Sequence, residues 1–361
     1  MRVVLATGPT PFPHLAPFPE QEAEVLAELA SAGIEVRAQL AAQDEATQNE
    51  WLQEAEGLLG APGGRVDAAL LDRAPKLALV ALASVGYDVV DAEECARRGV
   101  WVANAGGASV ETTANMALAL LLGASRQLGI NHELVRRDGA KPSDTRDWKW
   151  GSAESNGHPL WGATDPEGKV LGVLGFGRIG QSLARKCHLA FGMGVIYTDA
   201  LHIVQAAVPT AEAVTFDELL RRSDYLSIHT DLNERTRGLI GEDELGRMKD
   251  GAILINAARG GIVDEKALAA ALLSGKLAGA GLDVFKDEPM VEPALLQVPN
   301  VILQPHTGSG TIAARRNNTQ VQIQNVLNVL ARGVAPLTPV NAPAAPRLTP
   351  PSIGPVGRAR M

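Results

Sequence analysis

Apolar and polar positions alternate along this chain in two rhythms, and the rhythms take turns. Short aliphatic runs such as "RVVLA" (2–6) read as buried strands, and "PEQEAEVLAELASAG" (19–33) reads as an amphipathic helix closed by Gly33. The pattern repeats with strand "IEVRAQL", helix "QDEATQNEWLQEA", strand "GLLGA", helix "RVDAALLDRAP" stopped at Pro75, strand "LALVALAS", helix "DAEECARRG" and strand "VWVANA". Such alternation predicts parallel sheets with helical crossovers. A long helix over about 109–126 follows, and a polar segment rich in Gly, Pro and Trp (136–168) then interrupts the order. From "KVLGVLGFG" (169–177) the alternation resumes with strands "GVIYTDA", "DYLSIHT", "GAILINAA", "AGAGLDVF" and "NVILQP". Helix "DEKALAAALLSG" has Asp264 as its N-cap and Gly275 at its end, and a last helix covers about 311–332. The Pro-rich stretch from 335 onward is expected to be extended or disordered.

Composition narrows the picture. At 361 residues, 46% hydrophobic and 20% charged, the chain suits a soluble protein of roughly two domains. Its net charge of −8 argues against nucleic acid, which requires a basic face, and weakly against an anionic membrane surface. Cys95 and Cys187 lie far apart without metal-ligand spacing, so neither a disulfide framework nor a metal site is expected, and a cytoplasmic setting is. No secretory leader is visible, and the most apolar run, "MALALLLGA", is about half the length that spans a bilayer.

Two groups of residues carry chemistry. In "VLGFGRIG", Gly175, Gly177 and Gly180 form G-x-G-x-x-G between an apolar strand and a helix. The first glycine permits a tight turn, the second lets the backbone approach a pyrophosphate, and the third lets helix and strand pack closely. The helix start, with Arg178 and Ile179, offers free N–H groups to phosphate. Asp199 closes the next strand nineteen residues past Gly180, where a carboxylate accepts from a ribose 2′-hydroxyl and repels a 2′-phosphate. NAD, with NADH preferred over NADPH, is the expected cofactor. Three later strands lead to Arg259, Glu288 and His306. Ligands of open parallel sheets sit at the carboxyl ends of strands. An arginine can clamp a carboxylate with two parallel hydrogen bonds, a histidine can exchange a proton near neutral pH, and a carboxylate can orient that imidazole. Together these groups suit hydride chemistry on a 2-oxo acid.

With "VLGFGRIG", "NAARG", "GLDVFKDEP" and "QPHTG" in this order, the chain resembles the D-isomer-specific 2-hydroxyacid dehydrogenases. The resemblance covers about 75–340 strongly and the first 75 residues only in pattern. It implies Arg259, Glu288 and His306 as catalytic residues. It also implies that "SVGYD" (84–88) is the substrate loop, with the N–H groups of Val85 and Gly86 holding the carboxylate. Thr113, Ala257, Thr236 and Asp283 match cofactor positions, Asp283 near the nicotinamide carboxamide, and His229 and Thr230 border the adenosine side. The implied architecture is α/β: two Rossmann-like, doubly wound parallel-sheet domains with an active-site cleft between them. A substrate domain would comprise 1–103 plus 308–345, a cofactor domain 104–307, and a Pro-rich tail 346–361. A homodimer is the family expectation.

The chain departs from the pattern in places. Asp231 stands where the family usually has proline, which weakens the cofactor assignments around it, and Asn115 replaces a usual acid. The approach to the glycine loop looks most like fungal and mandelate-type members and hints at a substrate larger than glyoxylate. Two other readings share the fold: an NADH-sensing corepressor-like protein, and a formate dehydrogenase-like enzyme. The second is disfavoured because formate dehydrogenase pairs its histidine with glutamine.

Overall fold

The computed structural model describes residues 2–7, 12, 19–61, 64–138, 154–155, 158–159, 163–200 and 208–347. The chain divides into two compact units, Met1–Ser109 with Thr311–Met361, and Val110–Gly310.

In the first unit, strands β1 (Arg2–Ala6), β2 (Ile34–Arg37), β3 (Ala55–Leu59), β4 (Leu79–Ala81) and β5 (Trp101–Ala103) form one sheet in the order β2-β1-β3-β4-β5. Every pairing is parallel. Helices α1 (Pro19–Ser31), α2 (Glu45–Glu54), α3 (Ala68–Arg73) and α4 (Ala92–Arg97) provide the crossovers. Successive strand residues point to opposite faces. Val3, Leu5, Val80 and Val102 therefore pack with Leu52, Leu70 and Cys95 on one side. Val4, Ala6, Leu79 and Ala103 pack with Leu29 and with Ile323, Val326 and Leu330 near the chain's far end on the other.

The second unit begins with α5 (Val110–Ser125) and α6 (Leu128–Asp138), then the two-residue antiparallel pair β6 (Glu154–Ser155) and β7 (His158–Pro159). Next come β8 (Val170–Leu174), α7 (Arg178–Phe191), β9 (Gly194–Thr198), β10 (Glu212–Ala213), α8 (Phe216–Arg222), β11 (Tyr225–Ile228) and α9 (Glu242–Arg247). β12 (Ala252–Asn256), α10 (Glu265–Leu273), β13 (Leu277–Leu282) and β14 (Val301–Leu303) complete it. The parallel sheet runs β10-β9-β8-β11-β12-β13-β14, so the winding reverses between β8 and β11. That reversal is where doubly wound sheets hold dinucleotides. Leu171, Val173, Ile253 and Ile255 pack against α5 and α7, while Leu226, Leu254, Ala280 and Leu282 pack with Leu219, Leu268 and Leu272.

Helix α11 (Ile312–Val326) returns to the first unit and continues through a π-type turn at Leu327–Ala331. Asp264 caps α10, accepting from Lys266 and Ala267 N–H, and Gly275 past its end has φ +77°. Strand β3 starts at Ala55 rather than at Gly57, because α2 ends one residue earlier. The short helices α8 and α9 lie between strands where the apolar rhythm did not single them out, although Thr215 and Glu218 form a reciprocal capping box at α8. Arg347, expected in a disordered tail, instead donates from Nε to Arg98 O at 2.7 Å and from Nη1 to Pro75 O at 2.8 Å. Both thiols are buried, and burial pushes each up to about 12. Among the described residues, no helix is long and apolar enough to cross a membrane.

Candidate active site

The glycine loop leaves β8 at the point of reversal. Gly175 has φ +90°, and a Cβ there would meet Thr230 N at 2.6 Å and His229 C at 2.7 Å. A side chain is thus excluded by conformation and by the neighbouring β11 loop. A Cβ at Gly180 would meet Gly175 O at 2.4 Å, whereas one at Gly177 would meet nothing within 4 Å. Open space lies at the backbone turn that starts α7, where Gly177 is the N-cap. The N–H groups of the first turn have no intrahelical acceptor. Asp199 follows β9, and its Oδ2 accepts the Phe176 N–H at 2.6 Å. The acid is therefore fastened to the glycine loop. Exposed Arg178 and half-buried Ile179 open the helix. This donor set fits a dinucleotide: turn amides for phosphate and a carboxylate for a ribose diol.

The three candidate catalytic residues follow three adjacent parallel strands, β12, β13 and β14. Arg259 is half-buried, and its Nη1 donates to Ala258 O at 2.7 Å. Its turn is held by Asn256, whose Nδ2 donates to Arg259 O and whose Oδ1 accepts from Ala258 N–H. A Cβ on Gly260 would come within 1.9 Å of Phe285 C and 2.4 Å of Lys286 N. The Arg259 turn therefore lies directly on the backbone that leads to Glu288. Glu265 holds that backbone from α10, its Oε1 accepting Lys286 N–H at 2.6 Å, and burial raises its carboxyl above the ordinary value.

Glu288 and His306 meet. His306 Nδ1 lies 2.8 Å from Glu288 Oε2, and Glu288 Oε1 accepts the Phe285 N–H at 3.0 Å. Both carboxylate oxygens are occupied, which fixes the carboxylate plane and through it the imidazole. His306 has φ +53°, an unusual left-handed conformation for histidine. Asp283 sustains it. The Asp283 carbonyl accepts the His306 N–H at 2.8 Å, its Oδ1 accepts Thr307 N–H at 2.8 Å, and its Oδ2 accepts Gly308 N–H at 2.7 Å. Asp283 is 2% exposed, and burial raises its carboxyl above the ordinary value against the opposing effect of the two amides. Gly308 lies close, since a Cβ there would sit 2.6 Å from Asp283 Oδ2 and 3.7 Å from Thr113 Cγ2. Expected as a cofactor contact, Asp283 is thus also the anchor of the histidine loop, which sequence reasoning missed. The spacing of an acid one strand earlier was its only signal.

The other candidates are distributed as follows. Buried Thr113 on α5 stands beside Gly308, and buried Ala257 precedes the Arg259 turn. His229 and Thr230 follow β11 against Gly175. The His229 ring lies 2.8 Å from Ser227 Oγ through Nε2, and burial pushes its pKa down to about 4, so the imidazole is neutral. Thr236 closes a turn, its hydroxyl donating to Asp231 O at 2.6 Å and accepting Asn233 N–H at 2.8 Å. Asp231, in place of a proline, accepts from Asn233 Nδ2 at 3.1 Å and so braces the same turn.

In the first unit, the loop after β4 is shaped by Asn104. Its Nδ2 donates to Val85 O at 2.6 Å and its Oδ1 accepts Gly106 N–H at 3.0 Å, while Ala105 N–H donates to Ser84 O at 2.8 Å. The N–H groups of Val85 and Gly86 have no acceptor among the described residues. His202, near Asp199 in sequence, lies outside the described residues.

Comparison with known proteins gives a consistent answer. The model of the D-isomer specific 2-hydroxyacid dehydrogenase, NAD binding domain, matches residues 118–308. A glyoxylate reductase of Thermococcus litoralis is 40% identical over 294 residues, spanning 81% of this chain and 85% of that protein. The holo form of Rhodotorula graminis D-mandelate dehydrogenase aligns with a TM-score of 0.81 at 28% identity, over 96% of this chain and 99% of that one. An NADPH-dependent glyoxylate/hydroxypyruvate reductase of Sinorhizobium meliloti aligns with a TM-score of 0.76 at 29% identity, over 97% and 100%.

Proposed function

The chain belongs to the D-isomer-specific 2-hydroxyacid dehydrogenases, and from that premise we propose that it interconverts a small 2-oxo acid and the D-2-hydroxy acid, using NAD(H) in preference to NADP(H). NAD(P)-dependent 2-hydroxyacid dehydrogenase activity is common ground for its relatives. The observation that carries the finer reading is the 2.8 Å contact between His306 Nδ1 and Glu288 Oε2.

With Nδ1 engaged, the imidazole has Nε2 left to give a proton to the substrate oxygen during reduction and to take it back during oxidation. The Glu288 carboxylate holds the ring in the orientation that presents Nε2. Arg259 binds the substrate carboxylate and polarises the adjacent carbonyl, and the Val85 and Gly86 amides bind the same acid group. When bound, the nicotinamide supplies two electrons as hydride to C2, or accepts them in reverse. Thr113, Gly175, Gly177, Arg178, Ile179, Gly180, Asp199, His229, Thr230, Thr236, Ala257 and Asp283 are the residues assigned to the dinucleotide. The turn amides at Gly177–Gly180 take the pyrophosphate, and Asp199 takes the ribose diol.

Asp199 carries the cofactor preference. A 2′-phosphate beside it would juxtapose like charges, which can cost several kcal/mol. That corresponds to selectivity for NADH on the order of a hundredfold. The same reading expects a cytoplasmic homodimer, tested by light scattering and by cell fractionation. The decisive experiment measures initial rates with glyoxylate, hydroxypyruvate, pyruvate, 2-oxoisocaproate, phenylpyruvate and benzoylformate, each with NADH and NADPH. Turnover of at least one acid, faster with NADH, supports the proposal. Absence of turnover with all six sinks the activity, and equal or faster turnover with NADPH sinks the preference.

A further inference from the structure

One face of α11 carries three buried polar side chains, Asn318, Gln322 and Asn325, spaced by four and three residues. Two of them are satisfied. Gln322 Nε2 donates to Ala81 O at 2.8 Å, at the last residue of β4. Asn325 accepts the Leu337 and Thr338 N–H groups on Oδ1 and donates from Nδ2 to Thr338 Oγ1 at 2.9 Å. Asn318 differs. It is 3% exposed, and its Oδ1 is buried with no hydrogen-bond partner among the described residues. Leaving a buried acceptor unsatisfied is costly, and native structures keep few such groups.

The direction of the helix says what the group faces. Leu330, just past α11, lies at Gly57 within β3, where its Cδ1 is 3.0 Å from a Cβ built on the glycine. Gln322, earlier in the helix, is already at the carboxyl end of β4. The helix thus runs against the strands. One turn further back, about 6 Å, Asn318 lies beyond the strand ends. That is the level of the 82–86 loop, where the N–H groups of Val85 and Gly86 have no acceptor among the described residues.

We propose that Asn318 is a specificity-determining residue that hydrogen-bonds a hydroxyl on C3 of the substrate. This rests on the functional reading above, in which the acid group lies on the Val85 and Gly86 amides. A hydroxyl both donates and accepts, so it pairs with the side-chain amide in either of its two orientations. A 2-oxo acid with a plain methyl at C3 leaves the amide buried and unpaired. Sites built to bond a substrate hydroxyl reject the analogue that lacks it.

The test compares the full-length wild type with Asn318→Leu, which keeps the branched heavy-atom shape and removes the amide. NADH-dependent kcat/KM is measured for hydroxypyruvate, pyruvate and glyoxylate, the last having no C3. Wild type should favour hydroxypyruvate over pyruvate at least tenfold. The substitution should lower that ratio about ten- to a hundredfold, the equivalent of roughly 1–3 kcal/mol. Glyoxylate should change by less than about threefold. A ratio unmoved within twofold overturns the proposal and leaves Asn318 a structural residue or one that holds a water. Should Asn318→Leu not fold, Asn318→Ala and the wild-type ratio decide, and a wild-type ratio near one overturns it. A wild type inactive on every 2-oxo acid overturns the functional reading instead, and the inference with it.

Discussion

Two carboxylates serve His306, and they do so from opposite sides of the protein surface. Glu288 is partly exposed and touches the imidazole itself, with one oxygen on Nδ1 and the other on the Phe285 amide. Asp283 is buried and holds the backbone of residues 306–308 through its carbonyl and both carboxylate oxygens. The first holds the ring itself, the second the backbone conformation from which the ring is presented. Two residues of identical charge thus divide orientation into a chemical and a mechanical half, and burial tells them apart.

The largest effect should come from removing what both carboxylates serve. His306→Ala should lower kcat by about a hundred- to ten-thousandfold, while the NADH dissociation constant, read by fluorescence titration, stays within about threefold. A variant with a tenth or more of wild-type kcat would take His306 out of the chemistry. Glu288→Gln keeps the hydrogen-bonding shape and deletes the charge. Its kcat should fall about ten- to a hundredfold with the melting temperature unchanged, and a large drop in melting temperature would make Glu288 a structural residue as well. Asp283→Asn turns one acceptor into a donor that faces a backbone N–H. It should cost about 1–3 kcal/mol, lower the melting temperature by several degrees in calorimetry, and reduce kcat roughly tenfold by releasing the loop. Loss of kcat at full stability would contradict the mechanical role.

The smallest effect checks whether burial marks structural ionisable groups in general. His229 has its pKa pushed down to about 4 by burial, from an ordinary 6.5. As pH falls from 6.5 towards 4, the unfolded chain binds a proton there that the folded chain refuses, so stability is lost across that window. His229→Gln should lose less stability between pH 7 and pH 4.5 than wild type does, as measured by urea unfolding at the two pH values. Parallel losses would show that desolvation of the ring does not shift its titration.

The candidate residues, and the edge of the sheet that gathers them, could be picked out from sequence. The glycine loop was legible because a strand, a turn and a helix must follow one another in sequence for the motif to function. Arg259, Glu288 and His306 were legible as candidates because each follows an aliphatic strand, and parallel strands bring their carboxyl ends to one edge. The anchor role of Asp283 was hidden because its partners are backbone amides, which every residue possesses. Asn318 was hidden for a related reason. In "RRNNTQVQIQNV" the polar residues outnumber the apolar ones, and periodicity cannot say that a polar face is the buried one. Only the geometry of α11 against β3 and β4 turns Asn318 inward.

Gly260 has an implication for redesign. A side chain there would overlap the Phe285–Lys286 peptide, so the loop that carries Arg259 and the loop that leads to Glu288 form one mechanical cassette. Swapping either loop alone from a homologue would import a shape cut to fit a different partner. Chimaeras that exchange both together, from Asn256 to Pro289, inherit a matched pair, and libraries that vary position 260 sample the spacing between the two loops rather than the chemistry of either.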